Sequence, residues 1–159
     1  MKITILCVGK LKEDFYRKAV AEFTKRLSRY CKLEIVEVAD EKTPESAGAA
    51  IEAQIKEKEG GRLYRYIKED TYVIALVIQG KEMDSVQLSE TLERLGVSGK
   101  SNVAFVIGGS LGLSEQILQR ADLKLSFSKM TFPHQLMRVI LLEQIYRSYR
   151  IMWREPYHK

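Results

Sequence analysis

The sequence predicts an α/β fold, a mainly parallel sheet with helices on both faces. Three observations predict it. Apolar runs of strand length alternate with segments of helical periodicity along all 159 residues. Two of those runs, Tyr72 to Ile78 (YVIALVI) and Val103 to Ile107, are continuous rather than alternating, the pattern of strands buried on both faces. Three runs also pass directly into small or polar residues: Gln79-Gly80-Lys81, Gly108-Gly109-Ser110-Leu111-Gly112, and Ser126 to His134. In open α/β sheets the carboxyl ends of strands are where ligand sites are built.

The elements follow in order. Lys2 to Val8 is an apolar strand closed by Gly9. Glu13 to Arg29 has helical spacing, with Phe15, Ala19, Phe23 and Leu27 on one stripe. Leu33 to Val38 is the second strand. Thr43-Pro44-Glu45 carries a hydroxyl, a proline and an acid in the order that opens a helix, which reaches Glu59 and is ended or kinked by Gly60-Gly61. Arg62 to Lys68 adds a further helical turn or two. The YVIALVI strand is ended by Gln79-Gly80-Lys81. Asp84 or Ser85 caps a helix through Leu95, with Gly96 past its end. After the Val103 to Ile107 strand and its glycine loop, Ser114 caps a short helix to Ala121. Leu123 to Phe127 is the last strand, and Pro133 or His134 opens a long final helix to Met152. Nothing along the chain resembles a repeat or a linker, so residues 1–159 are read as one domain.

Composition narrows the function. The 45% apolar content supports a real core, and the net charge of +5 favours an anionic partner. From Lys129 onward, Lys129, Arg138, Arg147, Arg150, Arg154 and Lys159 stand against Glu143 and Glu155, which places four of the five net charges beside the last two loops. Cys7 sits in a strand pattern and reads as a small core residue. With two cysteines, no CxxC and no Cys/His cluster, neither a disulfide framework nor a metal centre is expected. The N-terminal MKITILCVGK is too short in its apolar run for a signal peptide, and no run approaches the ~20 residues of a membrane span, so a cytoplasmic protein is expected.

The glycine loop is GGxxG, not the GxGxxG of dinucleotide sites, and no phosphate-loop lysine follows it. It gains meaning from its two companion loops, since three strand ends can line one adenosine-sized pocket. Phe127 to Phe132 (FSKMTF) offers backbone hydrogen bonds between two rings, or equally two phenylalanines bound for the core. His134 at a helix start is read as a capping or packing histidine. Arg62, Tyr64, Arg65, Tyr66 and Lys68 interleave rings and cations, as an RNA-stacking segment or a surface helix does. The tail Glu155-Pro156-Tyr157-His158-Lys159 groups stacking, proton-transfer and phosphate-binding side chains.

Taken together, LVIQGK, FVIGGSLG, LSFSKMTFPHQLMRVILLEQIYRSYRI and the closing PYHK resemble the RlmH family of SPOUT-class ribosomal RNA methyltransferases over essentially the whole chain. The resemblance implies a C-terminal trefoil knot, an exception to the rule against knotted chains. It implies S-adenosylmethionine held by Leu76, Gly108, Phe127, Ser128, Lys129, Met130, Thr131 and Phe132. It also implies a homodimer that N3-methylates a pseudouridine in a 23S rRNA stem-loop, on the large subunit or the whole ribosome. Residue chemistry and position in the tail then nominate His158 as general base and Arg154 as charge stabiliser, with Arg147, Tyr157 and Lys159 holding RNA. Lys159 stands where the family often has arginine, which removes the planar fork of a bidentate phosphate contact. The competing expectations are an RNA-binding module without catalysis and a small nucleotide-dependent oxidoreductase.

Overall fold

A computed structural model describes all of residues 1–159. Ten elements alternate: β1 (Lys2–Val8), α1 (Asp14–Leu27), β2 (Lys32–Val38), α2 (Ala49–Tyr64), β3 (Tyr72–Glu82), α3 (Ser85–Val97), β4 (Asn102–Ile107), α4 (Glu115–Arg120), β5 (Leu123–Ser126) and α5 (His134–Met152). The five strands form one sheet in the order β2-β1-β4-β3-β5, and every pair is parallel. The α/β class expected from the sequence is the one observed.

Strand alternation sorts the core into two layers. Ile3, Ile5, Cys7, Ile74, Val103, Phe105 and Ile107 face α1, α3 and α5, where Leu27, Leu88, Leu92, Leu141, Leu142 and Ile145 meet them. Leu6, Val8, Val73, Ala75, Ala104 and Val106 face α2 and α4 through Leu63 and Ile117. Covering on both faces is why the central strands read as unbroken apolar runs. No helix is long and apolar enough to cross a membrane.

Four boundaries differ from the sequence expectation, each for a physical reason. Helix α2 starts at Ala49, not at Thr43-Pro44, which instead form a turn closed by the Ala47 N–H on the Pro44 carbonyl at 3.1 Å. Gly60 and Gly61 do not end α2. A β-carbon on Gly60 would lie 2.1 Å from Ser114 Oγ, so this glycine lets the middle of the helix touch the start of α4. Helix α3 runs past Gly96. Gly99, at φ +84°, terminates it, with the Lys100 N–H on Leu95 O at 2.8 Å and the Gly99 N–H on Gly96 O at 3.2 Å. At its other end Asp84 and Gln87 form a reciprocal capping box.

Strand β3 continues to Glu82, beyond the expected Ile78, and the continuation shapes the site. Both Leu76 and Lys81 register with Leu125 of β5, so Val77 to Gly80 bulge out of the ladder. The bulge closes tightly: a β-carbon on Gly80 would stand 2.7 Å from the carbonyl carbon and oxygen of Lys124.

Candidate active site

The carboxyl ends of β3, β4 and β5 enclose a cleft of about 540 Å³. Its walls are three loops. The bulge supplies Val77, Ile78 and Gln79, the loop after β4 supplies Gly108 to Leu113, and the loop after β5 supplies Phe127, Ser128, Met130, Thr131 and Phe132. Leu76, Ile107, Leu125 and Met137 complete an apolar floor, with Lys56 and His134 at the margin.

Local bonding sets each loop. A β-carbon on Gly108 would meet the Gly112 carbonyl carbon at 2.7 Å, so the second loop folds back on itself only with glycine there. Gly112, at φ +91°, makes the return, and its N–H reaches Gly109 O at 3.1 Å. In the third loop Ser126 Oγ donates to the Ser128 carbonyl at 3.0 Å, and the Met130 N–H donates to Ser128 Oγ at 3.0 Å. Phe127 and Phe132 neither vanish into the core nor lie free. They form a partition between the cleft and a smaller hollow of about 310 Å³ lined by Met83, Leu88 and Ile140. Burial, with Arg138 next, pushes the His134 imidazole below its ordinary value, so it is neutral at pH 7.

The family model described as "Predicted SPOUT methyltransferase" matches residues 1–158. The chain belongs to the SPOUT methyltransferases. It is 62% identical over 159 residues, the full length of both chains, to the ribosomal RNA large subunit methyltransferase H of Clostridium novyi (strain NT). The proteins of that name from Bifidobacterium adolescentis and Clostridium kluyveri (strain NBRC 12016) are 62% and 60% identical, again over both full lengths.

In this SPOUT chain, seven of the eight residues expected at the cofactor meet around one cleft: Leu76, Gly108, Phe127, Ser128, Met130, Thr131 and Phe132. Lys129 is exposed on the same loop and does not line the cleft. None of His158, Arg154, Arg147, Tyr157 and Lys159 lines it either. From Met137, which lines the cleft, α5 rises by about 9 Å to Glu143 and about 15 Å to Arg147 at 1.5 Å per residue, and these are the residues that hold Tyr157 and His158 off the cleft of their own chain.

The tail is nonetheless built, not frayed. Arg147 pairs with Glu143 at 2.5 Å, covers the Tyr157 ring at 4.7 Å, and meets His158 Nδ1 at 3.1 Å. The Tyr157 hydroxyl donates to Glu143 at 3.1 Å. Arg150 pairs with Glu155 and also donates to the Pro156 carbonyl at 2.8 Å. The guanidinium can only donate, so His158 Nδ1 accepts here and the imidazole carries its proton on Nε2.

These contacts revise the charge count. Of the six cations from Lys129 onward, Arg138 is buried against Glu37, Arg147 is held by Glu143, and Arg150 by Glu155. Lys129, Arg154 and Lys159 have no ion-pair partner within the chain. The interleaved Arg62 to Lys68 segment lies away from the cleft, at the end of α2 that precedes β3, and Arg62 is engaged with Glu41 and Ala39. Sequence reasoning missed Lys56, Val77 and Ile78 and the bulge that brings the latter two in, and of the expected Gln79-Gly80-Lys81 only Gln79 lines the cleft. Lys56 lies in an ordinary charged helix pattern, and the bulge shows only in the pairing register.

Proposed function

We propose that this chain is an S-adenosylmethionine-dependent methyltransferase of large-subunit ribosomal RNA that methylates N3 of a pseudouridine in a 23S rRNA stem-loop, on the assembled subunit or ribosome and as a homodimer. The observation that carries the reading is the convergence of three glycine-containing or polar loops on one cleft, in a chain matching the relatives described above from end to end.

The residues present fit the cofactor. The cleft volume is within the usual range for ligand sites. Leu76, Ile107, Leu125 and Phe127 offer apolar surface for a purine, and the glycine and serine loops offer backbone donors and acceptors at its rim. When bound, S-adenosylmethionine supplies an electrophilic methyl group on its sulfonium. This chain's part is to orient the acceptor nitrogen in line and to remove its proton. N3 of pseudouridine lies between two carbonyls, so a base and a nearby cation both lower the barrier. His158 is the proposed base and Arg154 the proposed cation, with Arg147, Tyr157 and Lys159 holding RNA.

Two features support completion of each cleft by the partner's tail. The tail lines no wall of the cleft of its own chain, and the Nδ1 lone pair of His158 accepts from Arg147. Phe15, 62% exposed on α1, and the half-buried Leu136 and Ile140 on α5 provide apolar surface for a second chain. A C-terminal knot follows from family membership, and the near-contact of Gly80 with the Lys124 backbone is consistent with one strand passing closely by another.

Deleting Tyr157, His158 and Lys159 tests the reading. Methyl transfer to ribosomes should be lost while S-adenosylmethionine binding stays nearly intact. Normal methylation by the deletion variant would reduce the tail to a structural appendage. Thermal shifts with S-adenosylmethionine and NAD discriminate among the alternatives. Stabilisation by the first alone removes both the oxidoreductase and the non-catalytic RNA module.

A further inference from the structure

The carboxylate of Glu59 is 4% exposed, on the inner face of α2, and no step above uses it. Its Oε2 accepts the backbone N–H of Glu41 at 3.0 Å. That bond ties the connection after β2 to the middle of α2. The opposite side of the carboxylate abuts the loop after β4. A β-carbon on Gly109 would lie 3.2 Å from Glu59 Oε1, 3.4 Å from Oε2 and 3.2 Å from Val8 Cγ1. The next residue, Gly60, lets Ser114 approach at a distance no side chain allows. Ser114 is itself 2% exposed, and its Oγ caps α4 by accepting the Ile117 N–H at 3.3 Å. Both ends of the loop, Gly109 and Ser114, therefore rest on two successive residues of α2.

Glu59 is an expensive residue to bury. Desolvation raises its carboxyl above the ordinary range, opposed by the Glu41 N–H. The nearby Asp40 and Glu41 carboxylates raise it further, while Arg62 lowers it. An apolar side chain would fill the same space without that penalty. What the carboxylate adds over an apolar side chain is an acceptor, which fixes its position through the Glu41 N–H while its oxygens stand against Gly109.

We propose that Glu59 is a positioning residue: seated beside Gly60, it braces the Gly108–Ser114 loop from behind and so sets the shape of the cofactor cleft. It touches no reacting atom. Its effect is on cofactor affinity, and that part of the inference rests on the cofactor assignment proposed above. The bracing itself does not.

The test measures amide hydrogen exchange across residues 108–114 and S-adenosylhomocysteine affinity by calorimetry, in Glu59→Ala, Glu59→Asp and Glu59→Gln. The Gly112 amide, held by Gly109 O, is the reporter. Glu59→Ala should speed exchange there about tenfold or more and weaken ligand binding by a similar factor, raising KM for the methyl donor while kcat stays within about twofold. Glu59→Gln keeps the acceptor and the volume and should restore both to within about threefold. Should the alanine variant fail to fold, Glu59→Asp decides, because it keeps the charge and withdraws the oxygens by one methylene. Native loop exchange in a folded Glu59→Ala or Glu59→Asp variant overturns the proposal, and so does a loss in Glu59→Gln as large as in Glu59→Ala. If the unaltered protein binds no S-adenosylhomocysteine, the cofactor assignment falls, and exchange alone still decides the brace.

Discussion

Arg154→Gly should stabilise the fold while impairing the reaction. Helix α5 ends in a reciprocal C-cap: the Glu155 N–H reaches Arg150 O at 2.9 Å, and the Arg154 N–H reaches Ile151 O at 3.0 Å. The residue past the cap must be left-handed, and Arg154 sits there at φ +54°, the only non-glycine with positive φ. Glycine is the usual occupant. A side chain in that conformation costs about 1–2 kcal/mol, and the greater freedom of glycine when unfolded returns about 0.5–1 kcal/mol of it. The exposed guanidinium has no ion pair or hydrogen bond within the chain, so its removal breaks no contact. The net gain is about 0.5–1 kcal/mol, or a rise in Tm of roughly 1–4 °C for a chain of this size. Calorimetry and urea midpoints would measure it, with Arg154→Ala, which keeps the strain, as control. Single-turnover methylation should fall about 10²–10³-fold in both variants, the usual loss on removing a group that stabilises developing charge. A lower Tm in Arg154→Gly would mean the side chain holds the tail and the strain argument is wrong. Methylation at the unaltered rate would remove Arg154 from the mechanism.

Three further outcomes are expected. Gly80→Ala places a methyl against the Lys124 and Leu125 backbone, which cannot yield as a side chain can. It should destabilise by about 2 kcal/mol or more and weaken cofactor binding, read by urea midpoint and calorimetry. His134 should titrate by NMR below its ordinary 6.5, because burial and Arg138 disfavour its cation. The folded value is lowered, so the unfolded chain binds more protons in that window. Stability should therefore fall as pH drops below about 6.5, less so in His134→Asn. Lys159→Ala should weaken RNA binding and make the slope of log affinity against log salt shallower by about one unit, measured at several salt concentrations.

The strands of this protein and their order along the chain were legible from local pattern alone. YVIALVI and NVAFVI declare burial on both faces because each residue carries its own hydrophobicity, and strand–helix alternation leaves few parallel arrangements. The loops that wall the cleft were legible for a related reason. Glycine and serine at strand ends are local features, and the similarity of LVIQGK, FVIGGSLG and FSKMTF to a known family named eight residues, of which all but Lys129 line the cleft.

Other features depend on chain segments distant in sequence. Gly60 looked like a helix breaker, yet α2 runs through it because Ser114, more than fifty positions later, needs that space. The β3 bulge exists only in its register against β5. Half of the C-terminal positive charge disappears into pairs with Glu37, Glu143 and Glu155, so a charge count overstates what RNA can meet. The tail shows the division most plainly. Its residue types announce proton transfer and phosphate binding, but α5 carries them off the walls of their own cleft. A one-dimensional string specifies which groups a chain possesses. Distance and burial decide which of those groups act together, and both arise only when segments far apart in sequence pack.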